Sequence, residues 1–133
     1  MRYMLDTNIC IYAIRRSHPE MLRDFSRHAE DLCVSSITFA ELRFGSEHSA
    51  RRDANLEELS RFIDAVPVVP FDPTAAVHFG ELKAHVFKAG TPIGPLDLLI
   101  GAHARSLDMT LVTNNRREFD RIPGLRVENW AEV

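Results

Sequence analysis

The chain reads as an α/β fold in which a mostly parallel central sheet is flanked by helices. Two observations predict it. Short apolar runs alternate with longer stretches of helical periodicity, the order expected of repeated strand-helix units. Three of those runs also end in polar turns, Asp6-Thr7-Asn8, Ser35-Ser36 and Thr113-Asn114-Asn115. A parallel sheet collects the segments beyond its strand ends along one edge, and that edge is where such folds bind ligands.

Tyr3-Met4-Leu5 is the first strand, and Ile9 to Ile14 follows as a nearly all-round apolar helix. Pro19 opens a second helix with Met21, Leu22 and Phe25 at helical spacing. Leu32-Cys33-Val34 is the next strand, with Ser35-Ser36 placed to cap a helix from Ile37 to about His48. On that helix Phe39 and Leu42 share one face, whereas Glu41 and Gly45 share another. Leu56, Leu59, Phe62 and Ile63 mark an amphipathic helix over Arg51 to Ala65. Val66 to Phe71 holds two prolines, which confines it to a sheet edge. Asp72-Pro73 caps and starts a helix that stops at Gly90. Pro95 opens another, with Leu96, Leu99, Ile100, His103 and Ala104 as its apolar stripe and Asp97 on a different face of its first turn. Thr110-Leu111-Val112 is a strand, a short helix runs through Glu118-Phe119, and Leu125 to Glu128 is the last strand, with Trp130 covering an end.

The 133 residues suit one domain, 1–133, without a repeat, linker or low-complexity tract. No stretch approaches the roughly 18 apolar residues of a membrane span, and no basic-then-apolar signal pattern opens the chain, so a cytoplasmic protein without membrane contact is expected. Cys10 and Cys33 lack CxxC spacing and lie beside apolar neighbours, as buried reduced thiols do. The six histidines form no HExxH, which argues against zinc. A net charge of −3 does not suit a general nucleic-acid coat, but the doublets Arg15-Arg16, Arg51-Arg52 and Arg116-Arg117 would attract phosphate if they converged. Solvated surface charge is the equal alternative.

Asp6, Glu41, Asp97 and Glu118 are candidates for a shared rim. Four carboxylates so placed repel one another unless a cation intervenes. All-oxygen ligands select hard ions, so Mg2+ or Mn2+ is expected, and such an ion promotes phosphodiester hydrolysis. Each acid also has a local reading. Thr38 to Glu41 and Asn115 to Glu118 match capping patterns, Asp97 suits a helix dipole, and Asp6 suits an Asx turn. Tyr12, Phe44 and Phe87 offer stacking surfaces for bases, although core packing is the expected role.

Met4-Leu5-Asp6-Thr7-Asn8, Ser35-Ser36-Ile37-Thr38 with Ala40-Glu41-Leu42, Gly94-Pro95-Leu96-Asp97, and Val112-Thr113-Asn114-Asn115 with Glu118-Phe119 together resemble the PIN-domain ribonucleases. Within that family the chain looks like the VapC toxins of VapBC toxin-antitoxin pairs, over essentially its whole length. The resemblance implies a PIN-like three-layer sandwich and an Mg2+- or Mn2+-dependent endoribonuclease with Asp6 and Asp97 as metal ligands. It implies Glu41 as a further acid, and Glu118 as the fourth charge, since Asn115 stands where many PIN domains carry aspartate. Asn115 is then a positioning residue, while Thr113, Thr7 and Asn8 order waters or orient Asp6. A structured RNA substrate such as a tRNA, a homodimer and a small antitoxin that occludes the site are also implied. Two rivals remain. A phosphatase of the haloacid-dehalogenase kind would use Asp6 as nucleophile but wants an acid where Asn8 stands, and a non-catalytic RNA- or protein-binding module would keep the scaffold without turnover.

Overall fold

The structure, a computed structural model, describes residues 1–131. Its strands are β1 (Tyr3–Leu5), β2 (Leu32–Ser35), β3 (Val68–Val69), β4 (Thr110–Val112) and β5 (Arg126–Glu128). They form one sheet in the order β3-β2-β1-β4-β5, and every pairing is parallel. The helices are α1 (Thr7–Arg15), α2 (Leu22–Arg27, entered through a 3-10 turn at Pro19–Met21), α3 (Ser36–Glu47), α4 (Arg52–Ala65), α5 (Pro73–Ala89), α6 (Pro95–Ser106) and α7 (Arg116–Phe119).

Alternation along the strands divides the core into two layers. Tyr3, Leu5, Leu32, Val34 and Val112 face Ile9, Leu42 and Leu59 from α1, α3 and α4. Met4, Cys33 and Leu111 face Leu82, Val86, Leu98, Ile100 and Phe119 from α5, α6 and α7. The result is the three-layer sandwich expected. Both cysteines are buried free thiols, and burial pushes the Cys33 thiol up to about 11. Trp130 closes one end against Tyr3, Phe25 and His28.

The chain winds outward from β1 through β2 to β3, then crosses back to β4 on the other side of β1. The order therefore reverses at β1, and the crevice beyond the carboxyl ends of β1 and β4 is the ligand position of such a sheet.

Two expectations need correction. The edge strand is two residues long, not six, because Pro67 and Pro70 bracket β3 and cannot donate to a ladder. On α6 the buried residues are Leu98 and 100–104, while Leu96 is 46% exposed. The helix is wedged between sheet, α5 and α7, so after its first turn it is enclosed on nearly every side rather than along one stripe. A Cβ on Gly101 would meet Ile122 Cδ1 at 2.5 Å, which shows how closely α6 is approached.

Candidate active site

Asp6 is placed by the end of β1 and the start of α1. Its backbone N–H pairs with Val112 O at 3.0 Å, its Oδ1 accepts the Ile9 N–H at 3.0 Å as the helix cap, and its Oδ2 accepts the Thr113 hydroxyl from the end of β4. Asp6 thus fills the local turn role and reaches the crevice at the same time. The carboxylate is buried, and that burial raises its pKa to about 6. The Thr113 and Ile9 hydrogen bonds oppose the rise, and the charges of Asp97 and Glu41 add to it.

Glu41 comes from α3, where Thr7 Oγ1 donates to its Oε1 at 2.7 Å. The Thr38 capping box does not form, because the helix starts earlier and Ser35 Oγ caps it by accepting the Ile37 N–H at 3.1 Å. Thr7 therefore orients Glu41 rather than Asp6. Thr38 is a buried participant missed in the sequence, its hydroxyl 3.4 Å from that of Thr7. The Thr-x-x-Glu spacing signalled it but was read as a cap.

Asp97 sits in the first turn of α6, partly exposed. Burial, then the charges of Glu118 and Glu41, raises its pKa to about 6. Glu118 accepts the Gly94 N–H at 2.7 Å on Oε1 and the Asn115 amide at 2.9 Å on Oε2. The Asn115 side chain does not cap α7; it positions Glu118, and its own N–H rests on Thr113 Oγ1 at 2.9 Å. Gly94, to which the sequence assigns no role, lies between two acids. A methyl there would be 3.6 Å from Glu118 Oε1 and 3.9 Å from Asp97 Oδ2.

All four acids therefore reach one crevice. Asn8 does not join them: it is exposed on α1 and makes no hydrogen bond to any of the four among the described residues. The Ser35-Ser36 turn is spent on structure, with Ser35 Oγ 2.8 Å from the Nδ1 of buried His103 and Ser36 Oγ accepting the Phe71 N–H. Of the basic doublets, Arg15 lines a cavity of about 210 Å3 together with Glu41, while Arg52 is paired with Glu47 and Asp53 and Arg116 with Asp120. Core packing is overturned for Phe44 and Phe87, which are 68% and 83% exposed. Tyr12 is half-buried, stacked on His18, and accepts the Asn114 amide on its hydroxyl.

None of the four carboxylates is in an ion pair among the described residues. Among the described residues no three carboxylate, imidazole or thiolate side chains are placed to hold one ion together. The donor set is all oxygen, and two of its members are held above the usual carboxylate range by burial and mutual repulsion. That chemistry fits a hard divalent ion taking a pair of carboxylates, with water in its remaining positions.

The PIN domain family matches residues 3–125. The tRNA(fMet)-specific endonuclease VapC of Salmonella typhimurium is 44% identical over 132 residues, covering 98% of this chain and 99% of that protein. Ribonuclease VapC2 of Haemophilus influenzae is 46% identical over 131 residues, covering 98% and 99%. The crystal structure of DNA-bound VapBC from Salmonella typhimurium superposes with a TM-score of 0.94 at 42% identity, covering 98% of each chain. The crevice, the sheet order and these likenesses agree, and the chain belongs to the PIN-domain family, in its VapC ribonuclease branch.

Proposed function

We propose that the chain is the toxin of a toxin-antitoxin pair and cuts a structured RNA, a tRNA, in a reaction that requires Mg2+ or Mn2+ held by Asp6 and Asp97. The observation that carries this reading is the crowding of four carboxylates from four elements around one crevice, two with raised pKa and none with a cationic partner among the described residues. A hard divalent ion supplies the missing countercharge and, when bound, polarises a phosphodiester and lowers the pKa of water.

The chain's own residues do the rest. Thr113 and the Ile9 N–H lock the Asp6 rotamer. Gly94 and Asn115 fix Glu118 with both oxygens engaged. Glu41 has Oε1 held by Thr7, while its Oε2 makes no hydrogen bond among the described residues. Glu41 is therefore the better placed of the two candidate general bases, with a free oxygen to take the proton of the attacking water. The phosphatase alternative fares worse, since the position where it wants a second acid is Asn8, an amide that is exposed on α1.

The tRNA assignment is supported by the Salmonella relative's name, and a VapB-like antitoxin by the VapBC complex that the fold superposes on. The homodimer is supported by the outer side of α5, where Val77 and Phe87 stand exposed on either side of Gly80 and Ala84. No described helix is long and apolar enough to cross a membrane, and we place the protein's action in the cytoplasm, with its RNA.

Sequencing of RNA 5′ ends after incubation of total RNA with the purified protein tests the reading. Cleavage at discrete tRNA positions, present with Mg2+ or Mn2+ and absent with EDTA or in Asp6→Asn, is expected. Cutting that survives both EDTA and Asp6→Asn would overturn it.

A further inference from the structure

Glu41 and Phe44 stand at i and i+3 on α3, and His48, the helical-φ/ψ residue that caps it, follows at i+7, so the three lie on one side of that helix. Glu41 belongs to the crevice already described, whereas the other two have no part in it. Phe44 is 68% exposed, and its ring lies flat against the His48 imidazole, with an interplanar angle of 8° and centroids 5.5 Å apart. With the two rings parallel and most of Phe44 exposed, the pair presents an open aromatic surface. Next along the helix is Gly45, around which an added Cβ would find nothing within 4 Å. The pair therefore forms a flat, open π-surface about one helical turn from the candidate general base.

We propose that the Phe44-His48 stack seats an unpaired nucleobase beside the scissile phosphate, with Arg15 in the adjoining cavity facing the RNA backbone. This inference rests on the ribonuclease reading. Single-stranded RNA is recognised by laying splayed bases on aromatic planes, with a basic group along the phosphates, and stacking tolerates any base. An apolar side chain of a protein partner is the less suited occupant. Such anchors fill pockets, and Phe44 does not line the cavity next to it, which is bounded by Glu41, Leu42, Gly45 and Arg15 among others.

Two measurements on the full chain test the stack. In steady-state cleavage of tRNA, Phe44→Ala is expected to raise KM about tenfold or more, with the effect on KM larger than on kcat and with Phe44→Trp restoring KM. In EDTA, the Phe44→Trp indole is expected to be quenched by a short single-stranded oligoribonucleotide, a signal that Trp130, buried against Tyr3, does not give. An unchanged KM in Phe44→Ala would overturn the stack, as would RNA binding seen by anisotropy without quenching. So would loss of antitoxin binding in Phe44→Ala with RNA cleavage intact, which would make Phe44 a protein anchor. If the wild-type chain cleaves no RNA, the ribonuclease reading itself fails, so the two failures are separable.

Discussion

Asp6 and Asp97 both titrate near pH 6, but the protein holds them in opposite ways. Asp6 is 4% exposed, starts a helix and is bonded through both oxygens. Asp97 is partly exposed, projects from the first turn of α6 and accepts no side-chain or cap hydrogen bond among the described residues. Burial leads for both. For Asp6 two hydrogen bonds oppose it, whereas for Asp97 the neighbouring charges of Glu118 and Glu41 reinforce it. Asp6 is built into the architecture through both oxygens, whereas no side-chain or cap hydrogen bond among the described residues ties Asp97 to it.

The largest expected effect does not distinguish them. Asp6→Asn and Asp97→Asn should each lower RNA cleavage about a hundredfold or more, since even residues that merely support a metal ligand contribute 10- to 100-fold. A variant that retained wild-type kcat/KM would remove that acid from the site.

The next effect is on stability against pH in EDTA. Folded Asp6 keeps its proton up to about pH 6, whereas its ordinary pKa is 3.8. The folded state thus binds more protons between those values, and stability falls as pH rises through that window. Asp6→Asn should abolish a difference of about 2 kcal/mol between pH 4 and pH 7. Asp97→Asn should abolish under half as much, because solvent screens a partly exposed charge. Urea titrations at the two pH values measure both, and equal effects would break the contrast.

The smallest effect is the sharpest test. Asparagine caps a helix about as well as aspartate, whereas alanine does not, and alanine at 6 also leaves the Thr113 hydroxyl proton without its acceptor. Asp6→Ala should therefore be about 1 to 2 kcal/mol less stable than Asp6→Asn. Asp97→Ala and Asp97→Asn should agree to about 0.5 kcal/mol. Thermal or urea unfolding at neutral pH decides it, and a gap at 97 as large as that at 6 would make Asp97 architectural too.

The same contrast explains what was legible in the sequence. The helix Pro73–Ala89 was read to the residue because its signals are local: an acid cap at Asp72, proline at its first position and a left-handed Gly90 with φ 69°. The four candidate acids stand out in the sequence because strand ends and helix starts are local as well. What each acid touches was not legible. Thr7 and Glu41 are 34 residues apart and Thr113 and Asp6 are 107 apart, and no periodicity links such pairs. Glu41 and Glu118 were open to capping readings because spacing alone does not show that Ser35 had taken one cap or that Gly94 had claimed the other carboxylate. Phe44 and Phe87 were expected in the core because hydrophobicity in a sequence says nothing about what covers a side chain. The stripe on α6 failed for the converse reason, since a helix wedged on most sides has no single buried face to read.

On the proposed role of Asp6 in holding the ion, its further role as the cap of α1 bears on how this lineage can lose its activity. A mutation that silences the toxin by trimming that side chain to a methyl unfastens the first helix as well, so the silent protein is also a fragile one and prone to clearance by proteases. Exchange for asparagine silences it while keeping the helix fastened. Decayed copies that persist as folded decoys for an antitoxin should therefore carry asparagine at this position far more often than alanine.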